Sequence, residues 1–142
     1  MGLVTVLAGI VVDAALGIWL GSIVFFSFIG APQTFAVLDT DRAGRVVNAI
    51  FPRYYVFGIA LGVVALVGTG VIAVSAGIDS AIVGVIGVIA LGVGLNGYAR
   101  WILIPKMDAA GEAAFERYHR RSVILNGVTM LAVAVGLVGT HL

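Results

Sequence analysis

Hydrophobic residues run along this chain in four long stretches separated by short polar groups. A helix that crosses the ~30 Å hydrocarbon layer of a bilayer needs about 20 mostly apolar residues, and each stretch is long enough to supply them. Backbone groups in lipid must be paired within their own segment, so the stretches are predicted to be helices rather than strands. The expected spans are residues 3–29, 54–76, 81–104 and 122–140.

Charged residues are rare within these stretches. Residues 3–29 contain a single charge, Asp13, and residues 122–140 contain none. Gly77 and Asp79 mark a tight turn between the second and third spans. The first span lacks the basic start and short apolar core of a signal peptide, so it is expected to remain as a helix. No internal repeat is evident, although the alternation of long and short connections suggests two helix pairs.

Composition supports a membrane protein and excludes several other classes. The chain has 142 residues, 61% hydrophobic and 11% charged, whereas a soluble domain is about 45–50% apolar and about 25% charged. The absence of cysteine excludes a disulfide scaffold, thiol chemistry and thiolate metal sites. The sequence therefore predicts an all-α integral membrane protein, a single four-helix bundle over residues 1–142.

All basic residues lie in or beside the two long connections. Three precede the second span, and the other five lie at or beyond the end of the third: Arg42, Arg45 and Arg53, then Arg100, Lys106, Arg117, Arg120 and Arg121. Loops rich in Lys and Arg stay on the cytoplasmic side of a membrane. Both long connections are therefore predicted to lie in the cytoplasm, and both termini outside the cell membrane.

The first long connection is predicted to contain a short amphipathic helix at the cytoplasmic membrane surface. Gly30 and Pro32 are expected to end the first helix, and Asp39 offers a capping oxygen for a new one. Apolar residues then recur at helical spacing over residues 43–51. In the second connection, Pro105 is expected to interrupt the third span.

Glycine is abundant, with 20 residues in the chain. Gly17 with Gly21, and Gly58 with Gly62, form pairs of small residues four positions apart, and Gly92 belongs to a group of glycines in the third span. Such residues let helix backbones approach closely in lipid. Two interpretations stay open, which are packing within one bundle and contact between the subunits of a homo-oligomer.

Asp13 is the acidic residue placed within a predicted span. Its distance from the start of the helix puts it near mid-membrane, where a charge is costly. One expectation is a neutral carboxyl group hydrogen-bonded to Asn96 or Thr129, because burial favours the neutral form. The other is a binding site for a proton or a cation.

A set of polar and aromatic residues is predicted to form a pocket that opens to the cytoplasm. Its members share a helix face or a membrane depth: Trp19, Ser22, Arg53, Tyr54, Asn96, Arg100, His119, Ser122 and Asn126. Their guanidinium and imidazole groups would attract an anion or a polar headgroup. The alternative is that the same side chains form hydrogen bonds between the helices and anchor them at the membrane interface.

No catalytic or cofactor site is recognised. The two histidines are predicted on opposite sides of the membrane, which excludes a haem held by both, and too few ligands converge for a metal site. A membrane enzyme would depend on His119 and Ser122 alone. The basic residues adjoin the membrane, which favours lipid over nucleic acid as their partner.

Several groups of residues carry a resemblance to a known family. They are Trp19-Leu20-Gly21, Phe51-Pro52-Arg53-Tyr54-Tyr55, Arg100 with Pro105 and Met107, and Phe115 with His119, Ser122 and Asn126. With these motifs in all four spans, the chain resembles the small four-span membrane family of unassigned function that includes eukaryotic transmembrane protein 205. The resemblance implies a helical bundle with no settled reaction, whose eukaryotic relatives have been connected with drug tolerance and export. It points to Arg53, Arg100, His119 and Asn126 as functional positions.

The predicted function is non-enzymatic. It is the binding or permeation of a small polar or ionic solute, or of a lipid headgroup, through the polar cluster, with membrane lipids as partners and no cofactor. The alternative is a structural or assembly protein that packs into a homo- or hetero-oligomeric complex through glycine-rich helix faces.

Overall fold

A computed structural model describes residues 2–110 and 112–142, and it describes side chains outside residues 110–116. The described chain consists of helices joined by short connections. They are α1 (Leu3–Phe25), α2 (Ala31–Val37), α3 (Thr40–Ala76), α4 (Ser80–Tyr98), α5 (Ile104–Ala110) and α6 (Glu112–Gly139). Two five-residue π turns, Phe26–Gly30 and Ala99–Leu103, join α1 to α2 and α4 to α5 without a break.

The long helices form a ring in which each packs against two neighbours. α3 packs against α1 and α4, and α6 packs against α4 and α1. Gly77 closes the α3–α4 turn with a φ of 97°, which L side chains rarely adopt. A hydrogen bond of 2.8 Å between Thr5 and Ser75 places this turn beside the start of α1, and we call this the terminal end. The opposite end, with α2, α5 and the first turns of α3 and α6, is called the basic end.

The outward faces of the long helices are apolar. Leu3, Val67 and Val74 are 72%, 63% and 90% exposed, and many other large apolar side chains also point away from the core. Within the described residues, four stretches are long and apolar enough to cross a bilayer: Leu3–Val37, Thr40–Ala76, Ser80–Ala109 and Arg117–Gly139. The prediction of an all-helical chain with four such helices is confirmed, and it indicates a multi-pass membrane protein.

The chain contains one order of elements twice. Each half has a long helix, a π turn, a short helix with proline as its second residue, and another long helix. The prolines are Pro32 in α2 and Pro105 in α5. The two helix pairs suggested by the connection lengths are therefore two halves of similar construction, which the sequence did not reveal as a repeat.

The buried positions of the two halves also correspond. Four buried positions before the π turn have the same spacing in the first helix of each half, and α1 also buries Ala15. They are Val12, Leu16, Trp19 and Ile23 in α1, and Val85, Ile89, Gly92 and Asn96 in α4. The second helices show the same agreement: Tyr55, Gly58 and Gly62 in α3, and Ser122, Leu125 and Thr129 in α6. The halves thus present equivalent faces that are filled by different side chains.

The prediction of a separate surface helix in the first connection is wrong. Residues 40–51 form the first turns of α3, which continues through Pro52 to Ala76. The Asp39 carboxylate caps this helix by accepting a hydrogen bond of 2.9 Å from a backbone N–H in its first turn. Because Ala43 and Val47 are buried on the stripe that continues into the core, packing holds one helix across the proline.

The expected breaks at Pro32 and Pro105 are also wrong. Each proline lies just after a π turn in an uninterrupted helical path. A proline inside an α-helix lacks an N–H and its ring clashes with the carbonyl group four residues earlier. The wider turn that precedes each proline accommodates the ring, so the helical path continues.

Trp19 fills the centre of the bundle, where it is 1% exposed, and glycines surround its ring. A Cβ atom on Gly58 would lie 2.6 Å from the indole Nε1 of Trp19 and would collide with the Asn96 amide. A Cβ atom on Gly92 would lie 2.9 Å from Cη2 of the same ring, and one on Gly62 would lie 3.0 Å from Cζ3. These three glycines therefore serve packing within the bundle.

The other predicted glycine pair lies on a different face. Added Cβ atoms on Gly17 and Gly21 would meet nothing within 4 Å, and both residues are exposed on α1. This pair faces outward, away from the core.

Candidate functional site

A groove of about 470 Å³ opens at the basic end, between α6 and the π turn and α2 that continue α1. Its walls come from the first π turn, α2, α3 and α6. The lining residues are Phe26, Ser27, Phe28, Ala31, Pro32, Phe35, Phe51, Tyr55, His119, Ser122, Val123, Asn126, Gly127 and Met130. We call this space the α1–α6 groove.

The groove accompanies a difference between the two halves. α1 packs more extensively on α3 than on α6. Gly58 and Gly62 of α3 leave room for the ring of Trp19, whereas the equivalent positions of α6 are Leu125 and Thr129. Leu125 packs against Tyr55, Ala99 and Leu103, and the Thr129 hydroxyl group donates to the Leu125 carbonyl within α6.

A chain of hydrogen bonds joins three helical segments at the inner wall of the groove. The Tyr54 hydroxyl group donates to Oδ1 of Asn126 at 2.6 Å, and Nδ2 of Asn126 donates to Oγ of Ser27 at 2.8 Å. A further side-chain hydrogen bond joins Tyr55 to Ser122. Because these residues lie on α3, α6 and the first π turn, the bonds hold the segments in one arrangement.

The lining of α6 changes character with depth. His119 lies near the start of the helix, and Ser122 and Asn126 follow towards the bundle centre, ahead of Met130. The helix rises about 16 Å from His119 to Met130. Along α6, the lining therefore passes from imidazole, hydroxyl and amide groups to the apolar side chain of Met130.

Most of the remaining lining is aromatic. Phe26 meets Phe51 edge to face, with ring centroids 5.5 Å apart, and Phe51 stacks on Tyr55 at 5.8 Å. Such ring pairs contribute about 0.5–1.5 kcal/mol beyond their buried area, so this wall is well held. Phe28 and Phe35 are exposed at the rim. The groove is thus open on the side that faces lipid in a membrane.

Two of the predicted cluster residues lie deeper in the closed core, and a third is bonded within its own helix. Trp19 and Asn96 are buried, and the amide of Asn96 donates to the backbone carbonyl of Tyr55 at 3.5 Å. The Ser22 hydroxyl group donates to the Trp19 carbonyl at 2.7 Å, one turn earlier in α1. None of these side chains is among the residues that line the groove.

The two arginines of the predicted cluster also lie away from the groove. Arg53 is exposed on α3, and its guanidinium group donates to the carbonyl of Ala49 at 3.3 Å. Arg100 lies in the second π turn, which contributes no wall. Of the predicted cluster, His119, Ser122 and Asn126 line the groove, and Tyr54 reaches the site through its hydrogen bond to Asn126.

Ser27 and the aromatic wall were not predicted. Ser27 lies in a run of apolar residues that looks like ordinary membrane helix, and the π turn that directs it towards Asn126 leaves no clear sequence signal. Two residues could have been found. Tyr55 adjoins Tyr54, and Met130 is one turn beyond Asn126 on the same face.

Asp13 lies far from the groove, near the terminal end. Its carboxylate accepts a hydrogen bond of 3.0 Å from the Thr140 hydroxyl group and lies 3.1 Å from Nε2 of His141. The prediction that Asn96 or Thr129 is the partner of Asp13 is wrong. α6 ends at this level of α1, so the residues that follow it lie next to the carboxylate.

An apolar layer separates Asp13 from the groove. It consists of core residues from all four long helices: Val12, Leu16, Ala65, Ile89 and Val133. All five side chains are fully buried, and Ala15 beside them is 3% exposed. Within the described residues, no group of three or more His, Asp and Glu side chains could hold a metal ion.

Residues 14–116 match the model of a family described as a domain of unknown function, DUF4149. The chain belongs to the DUF4149 family. A protein of Aquifex aeolicus (strain VF5), described as uncharacterized, is 34% identical over 131 residues, which is 88% of this chain and 89% of the relative. No solved structure matches the chain.

The DUF4149 match contains one side of the groove and stops before the other. Ser27, Phe51 and Tyr55 fall within the matched residues, and His119 and Asn126 lie beyond them. Neither similarity connects the chain with transmembrane protein 205, so that finer resemblance stays a prediction.

Proposed function

We propose that this DUF4149 protein binds a membrane amphiphile in the α1–α6 groove. The acyl chain lies against the aromatic wall, and the polar head lies near His119. One observation carries the proposal: a groove that is open towards lipid sets the polar groups of His119, Ser122 and Asn126 on α6 beside an aromatic wall. An amphiphile has the same division between head and chain.

The size and chemistry of the groove support this assignment. Small-molecule sites are clefts of about 300–1,000 Å³, mostly apolar, with a few polar groups that orient the ligand. The groove has a volume of about 470 Å³ and places Ser122 and Asn126 among aromatic and aliphatic side chains. The bonds from Asn126 to Ser27 and Tyr54 position its amide before a ligand enters.

The apolar layer favours binding over permeation. A polar solute that moved from His119 to Asp13 would have to pass Leu16, Ile89 and Val133, each of which is fully buried. Burial of a polar group without a hydrogen-bonding partner costs several kcal/mol. The arrangement supports a site that holds its ligand at one end of the bundle.

The proposal can be tested by filling the groove. Gly127 lines the groove, and a Cβ atom there would meet nothing within 4 Å, so Gly127→Phe can place a ring in the groove without a backbone clash. Native mass spectrometry of the detergent-purified protein, mixed with defined phospholipids, counts the lipids that each chain retains. We expect the variant to retain lipid at least about tenfold more weakly. Each methylene group of the ligand contributes ~0.8 kcal/mol on burial, so exclusion of about two of them by the new ring accounts for a tenfold loss.

Gly94→Phe is the matched control. Gly94 is an exposed glycine on α4 with no atom within 4 Å of an added Cβ, and it does not line the groove. This variant makes the same chemical change and should retain lipid as the wild type does. Equal lipid retention by the wild type and Gly127→Phe would refute the proposal.

The orientation in the membrane is part of the proposal. We place the basic end in the cytoplasm and both termini outside, because Lys and Arg accumulate on the cytoplasmic side. The chain has no cysteine, so a single introduced cysteine reports one position. In intact cells, an impermeant thiol reagent should label Ile78→Cys and leave Arg45→Cys unlabelled, and the opposite pattern would reverse the assignment.

Assembly through α1 is a second candidate function, favoured by the outward pair Gly17 and Gly21. Small residues four apart allow two helices in lipid to approach closely. Gly17→Leu should then lower the mass of the detergent-solubilised particle to that of one chain, while Gly94→Leu should leave the mass unchanged. A wild-type protein that is already monomeric in mild detergent would exclude this candidate.

A further inference from the structure

We infer that the amphiphile in the α1–α6 groove is an anionic lipid whose acidic headgroup is bound by His119 and Arg120. This inference rests on the proposed function and names its ligand class. The groove commits the site to a lipid rather than to a free anion, because Phe26, Phe51 and Met130 form an apolar surface that a small inorganic ion would leave unused.

The lining distinguishes this groove from the space between α4 and α6, which no charged or imidazole side chain lines, and from two spaces that contain carboxylates. Among the side chains that the structure describes, no acidic residue lines the groove, and His119 is one of the lining residues. The small space beside α5 contains Asp108. The cleft at the terminal end contains Asp13 and Asp79. Of these spaces, the groove is the one whose charge suits an anion.

Arg120 is not itself a lining residue of the groove, but helical spacing places it beside that face of α6. It follows His119 directly, and it is two helical turns from Gly127, which lines the groove on the same edge of α6. The side chain is exposed, so its guanidinium group can reach the interface while its stem follows the helix. The planar guanidinium group donates two parallel hydrogen bonds to a phosphate or carboxylate group.

Neighbouring arginines of the same turn are engaged elsewhere. The guanidinium carbon of Arg117 lies 5.2 Å from the ring centroid of Tyr118, and that of Arg121 lies 5.5 Å from it. Helical spacing puts both residues on the side of α6 away from His119. Their charges add to the general attraction of this end for an anionic surface, but they do not face the groove.

This arrangement supplies a matched pair of variants. Arg120→Gln and Arg117→Gln each remove one positive charge from an exposed position on the same turn of α6. General attraction to an anionic bilayer changes equally in both. A headgroup site in the groove is weakened by the first change and not by the second.

The experiment measures retention of phosphatidylglycerol and phosphatidylcholine with identical acyl chains, by native mass spectrometry of the full chain. We expect the wild type to prefer phosphatidylglycerol at least about fivefold, and Arg120→Gln to lose about fivefold of that preference, as for one basic residue near an anionic surface. Arg117→Gln should keep the wild-type preference within about twofold. Millimolar inorganic phosphate should displace none of the bound lipid.

The outcomes separate this inference from the function on which it rests. If the wild type retains both lipids equally and Gly127→Phe retains neither, the lipid site stands and the anionic assignment fails. Equal losses in Arg120→Gln and Arg117→Gln, or displacement by inorganic phosphate, would also overturn the anionic assignment. If Gly127→Phe retains lipid like the wild type, the groove is not the site and both proposals fail.

Discussion

The two halves of the molecule meet at two contacts, α3 with α4 and α1 with α6, which we call seams. These seams differ in how closely their helices approach. Between α3 and α4, Gly58 and Gly92 leave room for the ring of Trp19, which fills this contact at the centre of the bundle. On α6, Leu125 and Thr129 stand at the positions that glycines occupy on α3, and a groove of about 470 Å³ lies beside α6 towards the basic end. The same order of elements therefore accompanies a filled contact around Trp19 and a ligand-sized opening beside α6.

The difference has a simple cause in lipid. Apolar side chains gain little by exchanging contact with lipid for contact with each other, so close backbone approach and hydrogen bonds decide which helices pack tightly. The α3–α4 seam uses close approach. The α1–α6 seam uses the hydrogen bond from Asn126 to Ser27 and leaves space beside it.

Truncation of Trp19, whose ring fills the centre of the bundle, should cause the largest loss of stability. Trp19→Ala removes a ring that is 1% exposed and leaves a cavity, so we expect the free energy of unfolding to fall by about 3–5 kcal/mol. Titration with sodium dodecyl sulfate in mixed micelles, followed by circular dichroism, measures this quantity. Trp101→Ala is the control, because Trp101 is exposed on the outer surface, and similar losses in both variants would contradict a central role for Trp19.

A methyl group at Gly92 should have the next largest effect. Its Cβ would lie 2.9 Å from Cη2 of Trp19, so Gly92→Ala is expected to cost about 1–3 kcal/mol by overpacking. Gly94→Ala, two residues along α4 and facing open space, should be neutral or stabilising by up to about 1 kcal/mol because alanine favours the helix.

A double-mutant cycle sharpens this comparison. In a Trp19→Ala background the ring that the new methyl group meets is gone, so Gly92→Ala should lose most of its cost. Strictly additive effects would show that Gly92 acts through something other than Trp19.

Loss of a hydroxyl group should have a smaller effect at the open seam. Tyr54→Phe removes the donor to Asn126, and we expect a loss of about 0.5–1 kcal/mol in the same micelle titration, as for other hydrogen bonds between membrane helices. Tyr98→Phe on α4 is the matched control, since its hydroxyl group is outside this chain of bonds. Equal stabilities of the two variants would indicate that the bond from Tyr54 does not stabilise the contact of α3 with α6 beside this seam.

The smallest effect is expected at the terminal end of the α1–α6 seam. The side chains of Asp13 and His141 are 39% and 65% exposed, so solvent weakens their attraction. Asp13→Asn keeps an oxygen that can accept from Thr140, and it should change the free energy of unfolding by no more than about 0.5 kcal/mol. A loss of several kcal/mol would show that this pair, rather than the contacts around Trp19, closes the bundle.

Sequence alone was enough to predict the helices and part of the site. The length of each apolar stretch and the placement of Asp79 and Gly77 in the tight turn are local properties, and the structure agrees with both. Tyr54 and Asn126 were predicted to meet at the basic end, and they are hydrogen-bonded. The surface helix and the partners of Asp13 were predicted wrongly, because a proline or an isolated charge was judged without its tertiary neighbours.

By itself, the sequence determined that the chain forms four apolar helices with its positive charges grouped at two connections, since hydrophobic length and charge are read residue by residue. The tertiary structure alone decided that Gly58 faces Trp19 while Gly17 faces outward, and that Ser27 turns towards Asn126 beside an open groove. These outcomes depend on which surfaces meet between residues far apart in the chain. The sequence pattern of a helix determines which residues share a face, and packing against the other helices determines which of those faces is buried.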